Sequence, residues 1–261
     1  MEGPAATIAL VLAETAAGGT ALLWLGRLWG RVRRGFFVLT GLAVLACALL
    51  ATLAATSATT TPVDEAVRLA VLLCAVTAVV LGLSAAALIL RLDGAGRALG
   101  LLGIPAAAAM LGGFATVAGS AFAPALLQLL AGAVFLGAVL DGLLLGHWYL
   151  TDRRLPREHI RRLSLVLLVA VALEGAAVAV LGFGTGEAAD ISGFSPLLGV
   201  AGLTAWLALG MVVCTALIAV LIRASLGGQS ARAVQGATGF FYLAVITALT
   251  AEMAAKVGFL G

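Results

Sequence analysis

Apolar residues run along this chain in eight long blocks, separated by short stretches that hold most of its charge. The blocks fall at about Ala5–Leu25, Phe36–Thr56, Val63–Leu90, Ala98–Ser120, Ala123–Leu150, Leu163–Phe183, Pro196–Ile222 and Val234–Leu260. A helix rises about 1.5 Å per residue, so about 20 residues cross a hydrocarbon layer roughly 30 Å thick. Ala, Leu, Val and Gly follow one another here without the apolar–polar alternation of a barrel strand. A lipid-embedded backbone must also satisfy its own hydrogen bonds, which a helix does within one segment. The pattern predicts an all-α integral membrane protein, a bundle of about eight transmembrane helices.

Composition agrees. Of 261 residues, 63% are hydrophobic and 10% charged, and the mean hydropathy is +1.18. A water-soluble domain carries about a quarter charged residues on its surface. Too few are present here to cover one. The opening Met1-Glu2-Gly3-Pro4 lacks the basic region of a secretory signal, so the first block is expected to stay as a span. Cys47, Cys74 and Cys214 fall inside blocks without paired spacing and read as small apolar side chains.

Charge sets the expected orientation. Arg27, Arg31, Arg33 and Arg34 follow block one, and Arg91 and Arg97 follow block three. Arg153, Arg154, Arg157, Arg161 and Arg162 follow block five, and Arg223 and Arg232 follow block seven. These are 13 of the 15 basic residues, all on alternate connections. The other connections carry Asp64, Glu65, Glu187 and Asp190. Short basic loops remain cytoplasmic, which predicts both termini outside and residence in the cell's inner (cytoplasmic) membrane.

Blocks one to four and five to eight each place an Arg-rich connection after their first span. Glu14 and Asp141 stand at comparable positions in spans one and five. This suggests one transmembrane domain, residues 1–261, made of parallel halves 1–122 and 123–261. Glycines four apart (Gly26/Gly30, Gly96/Gly100, Gly142/Gly146 and Gly182/Gly186) suit close helix contacts, although chance spacing is common among 33 glycines.

Charged residues inside the blocks are the informative ones, because a charge at the bilayer centre costs at least about 2.5 kcal/mol. Counted from the block ends, Glu14, Asp141 and Glu174 reach a similar level near the midplane. Spans five and six form a hairpin, which makes Asp141 and Glu174 expected neighbours. Each acid could be a neutral hydrogen-bonding group in the bundle, or the three could form a site that accepts and releases protons. Three acids at one depth, with no Lys or Arg at that level, favour the second reading. Glu252, four residues before Lys256, reads instead as an intrahelical ion pair whose lysine reaches out to the interface.

The two histidines lie at the basic end of spans five and six. His147, Trp148, Arg153, Arg154 and His159 could together hold a quinone carbonyl, a phosphate or an anionic lipid head group. Their plainer reading is interfacial anchoring. Two histidines outside span interiors argue against a b-type haem, and they make a weak metal site. No phosphate loop, dinucleotide fingerprint, nucleophile elbow, HExxH or CxxC occurs.

The expected function is therefore that of a proton-handling membrane subunit in a redox or energy-coupling complex, such as a respiratory chain, with quinone or lipid access. Its partners would be the bilayer and other protein subunits, and no nucleic acid. Two alternatives remain: a proton-coupled transporter of a small solute, and a structural anchor with no chemistry of its own.

Overall fold

The structure, a computed structural model, describes residues 1, 3–26, 32–59, 63–151, 155–182, 202–228 and 231–260. Among these residues are eight long helices and no strand. They are α1 (Gly3–Gly26), α2 (Arg34–Ser57), α3 (Glu65–Ile89), α4 (Asp93–Val117), α5 (Phe122–Thr151), α6 (Glu158–Ala177), α7 (Leu203–Ser225) and α8 (Ala231–Ala255). α6 runs on as a wider π turn, Val178–Gly182. All eight are long and apolar enough to cross a membrane. Leu53, Leu72, Leu217 and Ile246 are exposed on the outer helices, which is the arrangement lipid rewards and water does not. The chain has the form of a multi-pass membrane protein.

Local sequence explains most helix ends. Pro4 and Pro124 sit in the first turns of α1 and α5, where a missing N–H costs nothing. Glu65, Asp93 and Glu158 place acids in the first turns of α3, α4 and α6, against the positive end of each helix dipole. α3 closes with Arg91 at φ 63°, and the Leu92 N–H donates to the Ala87 carbonyl at 2.8 Å. Three boundaries differ from expectation by five residues. α4 begins at Asp93, five residues before Ala98. α6 begins at Glu158, five residues before Leu163. α8 stops at Ala255, five residues before Leu260, because Lys256–Gly258 turns with Gly258 at φ 74°. The start of the expected seventh span, 196–201, lies outside the described residues.

α1 and α5 form the centre. Their apolar stretches are 72% and 67% buried, against 33–44% for the other six. α1 packs on α2, α4 and α5, and α5 packs on α6, α8 and α1. The chain is thus laid out as α1–α2–α3–α4, with α4 returning to α1, and α5–α6–α7–α8, with α8 returning to α5. α1 and α5 run parallel and touch backbone to backbone. A methyl added at Gly18 would overlap the Ala133 carbonyl, and one at Gly137 would overlap the Gly18 backbone. α8 runs antiparallel to α5, with Phe241 on Gly142 and Thr238 on Gly146. Of the glycine pairs, Gly142/Gly146 therefore does line a helix contact.

The α1 and α8 ends meet at one end of the bundle, called the terminal end below. There the Thr7 hydroxyl approaches the Lys256 carbonyl at 3.5 Å, and the Gly119 N–H donates to the Phe259 carbonyl at 3.2 Å. At the opposite, Arg-rich end, Arg157 donates to the Gly228 carbonyl at 3.2 Å and ties two of the basic connections together.

Candidate functional site

Three helices bring ionisable side chains into one buried volume near the terminal end. Glu14 stands midway along α1, Glu174 is in the last turn of α6, and Glu252 is in the last turn of α8. Lys256 is the first residue after α8. The three glutamates have no exposure and Lys256 has 1%. The Lys256 Nζ lies 3.0 Å from Glu14 Oε1 and 3.1 Å from Glu252 Oε2. Glu174 stands beside Glu252, and its charge also acts on Lys256 and Glu14. Glu174 is not paired with Lys256, and Glu252 is its hydrogen-bonding neighbour.

Backbone direction explains the meeting. Lys256 is level with Thr7, seven residues from Glu14 and so about 10 Å away along α1. Helical side chains lean toward the N-terminus of their own helix. α8 runs toward the terminal end, so Lys256 leans back into the bundle. α1 runs the other way, so Glu14 leans toward it. α5 leaves the space: a Cβ on Gly132 would fall 2.7 Å from Glu14 Oε1 and 2.9 Å from Glu252 Oε2. Above the cluster, the Phe259 ring centre is 5.6 Å from the Lys256 Nζ, within cation–π range. Two carboxylates in direct contact and the facing Phe259 ring favour the ammonium form of Lys256. Lys256 is a fixed positive charge.

This corrects two expectations. The intrahelical Glu252–Lys256 pair forms as expected, but Lys256 does not reach out to the interface. It points inward and bridges α8 to α1. The expected trio is also divided, since Glu14 and Glu174 share a site from which Asp141 is absent. Asp141 lies beside Gly19, whose Cβ position is 3.7 Å from Asp141 Oδ1. It is nine residues past Gly132 on α5, about 13 Å further toward the Arg-rich end. Counting residues from block ends missed this, because it does not set the register of α5 on α1, which the Gly18–Gly137 contact does.

At the Arg-rich end, His147 is exposed and its Nδ1 is 3.2 Å from the Tyr242 hydroxyl. Trp148 packs its ring against Gly35 of α2. His159 is 7% exposed. Tyr149 hydrogen-bonds the Pro156 carbonyl and holds the α5–α6 connection. Arg153 and Arg154 lie outside the described residues. The expected rim group is thus spread over an exposed α5–α8 edge and a buried position on α6. Tyr242 had no distinguishing signal in the sequence. Comparison with protein-family models, with curated proteins and with solved structures finds no match.

Proposed function

We propose that this chain is a membrane protein that takes up and releases protons at the Glu14–Glu174–Glu252–Lys256 cluster. The observation that carries this reading is a count of charges in a fully buried volume. One ammonium, shared by Glu14 and Glu252, faces three carboxyls, so carboxyls outnumber cations there by two. Uncompensated charge in such a place is strongly disfavoured, so the carboxyls that Lys256 does not neutralise hold protons. Lys256 keeps its charge through the neutral range, which leaves the glutamates as the exchanging groups.

The orientation with both termini outside, and the division into parallel halves, belong to the same reading. The repeated packing order supports the halves, and the cluster joins α1 of the first to α6 and α8 of the second. Coupling sites between halves suit a proton-coupled transporter, which we favour over a purely structural anchor. A membrane subunit of a redox complex, with a quinone or lipid head group at His147, uses the same cluster and differs in needing partners.

Infrared difference spectra of the purified chain, taken across neutral pH, test the reading. At least one carboxylic-acid band should appear and vanish with pH and be lost in Glu174→Gln or Glu14→Gln. If no such band titrates, the proton reading is wrong. Proton movement by the chain alone in liposomes then selects the transporter, and movement only with co-purified subunits selects the complex.

A further inference from the structure

We propose that Asp141, with the Thr40 hydroxyl, is a second proton-binding station, separated from the glutamate cluster by the α1–α5 crossing and serving the Arg-rich end. The inference rests on the proton reading of the cluster and adds a second stop on the route.

Asp141 is 3% exposed, and its Oδ1 has no hydrogen-bond partner among the described residues. Thr40 of α2 has no exposure, and its hydroxyl is likewise unpartnered. That sets it apart from the other buried threonines. Thr15, Thr20, Thr77, Thr215 and Thr238 each donate to the carbonyl four residues back, at 2.7–2.9 Å, and so satisfy themselves. Thr40 keeps its hydroxyl for something else.

Position links the two. Gly19 of α1 is flanked by Val44 of α2 on one side and Asp141 of α5 on the other. Thr40 is one turn from Val44 on the same face of α2, toward the Arg-rich end. An unpartnered carboxyl oxygen of Asp141 and the unpartnered Thr40 hydroxyl thus belong to helices that meet at Gly19 of α1. Buried polar groups are nearly always paired, so two orphans at one junction point to a proton that comes and goes.

The cluster and this junction are separated by a dry contact. Between them, Gly18 meets Ala133 and Gly137 backbone to backbone, with no space for water. The ionisable groups on the helices packed against α5 are Glu14 of α1, Arg34 and Cys47 of α2, Asp93 and Arg97 of α4, Glu158, His159, Arg161, Arg162 and Glu174 of α6, and Arg232, Tyr242 and Glu252 of α8, with Lys256 just beyond it and His147 and Tyr149 on α5 itself. Asp141 lies nine residues of α5, about 13 Å, from the Gly132 gap at the cluster, and the two stations titrate separately.

Proteoliposomes of uniform orientation test this, with the pH stepped on one side at a time. An Asp141 carboxyl band, absent in Asp141→Asn, should respond to a step at the Arg-rich end. The glutamate bands should respond to a step at the terminal end and persist in Asp141→Asn. Net proton transfer should fall at least tenfold in Asp141→Asn and recover in Asp141→Glu. If Asp141→Asn transfers protons like the wild type while the glutamates still titrate, the second station is overturned and the cluster reading stands. If Asp141 titrates in step with the glutamates from one side, the separation is overturned. Should the glutamates fail to titrate at all, the reading beneath the proposal fails, and a lone Asp141 band would not rescue it.

Discussion

The Lys256 ammonium lies 3.0 Å from the Glu14 carboxylate, although the Lys256 backbone is level with Thr7, seven residues nearer the terminal end. Two long side chains lean toward each other from antiparallel helices and close a gap of about 10 Å. The contact fastens the two ends of the sequence together, and it does so inside the bundle rather than at its surface.

Removing Lys256 should therefore be costly. Lys256→Met keeps the stem and deletes the charge, leaving three buried glutamates without a cation. Breaking a buried pair from one side costs about 3–5 kcal/mol. Adding Glu14→Gln to that variant removes one orphaned carboxylate and should return part of the loss. Thermal unfolding in detergent measures both. Equal midpoints for wild type and Lys256→Met would show that the cluster is not the buried, unsolvated site described here.

The α1–α5 crossing gives a sharper packing test. Gly18→Ala drives a methyl into the Ala133 carbonyl, and neither backbone can move aside cheaply. Overpacking of this kind costs about 1–3 kcal/mol or more. Gly112→Ala on α4 is the control, since nothing lies within 4 Å of its Cβ position. That change should be neutral or slightly stabilising, as alanine favours a helix by up to about 1 kcal/mol over glycine. Similar losses at both positions would refute the close crossing.

What the sequence revealed, and what it hid, follows from the range of each signal. Block length and composition act within one segment, so all eight helices were visible. Glu14 and Glu174 were visible as costly charges in apolar surroundings. Lys256 was misread because its nearest sequence partner, Glu252, accounted for it locally. Its second partner is 242 positions away, and only the meeting of α1 with α8 brings it near. Asp141 was assigned to the wrong level because depth depends on how far α5 slides along α1, which the Gly18–Gly137 contact sets and residue counting does not. Thr40 carried no signal at all, since its oddity is a hydrogen bond that it fails to make.

Orientation can be tested without reference to function. In a variant with Cys47, Cys74 and Cys214 replaced, a cysteine at Thr59 should react with an impermeant thiol reagent added outside intact cells. A cysteine at Gly228 should react only after permeabilisation. Thr59 follows α2 at the terminal end, and Gly228 lies on the Arg-rich connection after α7. The opposite labelling would invert the orientation drawn from the arginines.

Glu174 and Glu14 separate chemistry from architecture, because only one of them holds the fold together. Glu14 is paired with Lys256, so Glu14→Gln removes half of the bridge and should lower the unfolding midpoint. Glu174 lies outside the Lys256 bridge, and glutamine keeps a hydrogen-bonding end for Glu252, so Glu174→Gln should leave the midpoint close to that of the wild type. Positioned proton transfer contributes about 100-fold or more where it operates, and Glu174→Gln should reduce pH-driven proton exchange by that order. Lys256 cannot account for any pH dependence seen. A lysine held between two carboxylates keeps its proton through the neutral range. A pH dependence that Glu174→Gln removes while His147 and His159 are intact therefore belongs to the carboxyl. A stable Glu174→Gln protein with an unchanged pH profile would remove Glu174 from the mechanism and leave it an acid held neutral by its surroundings.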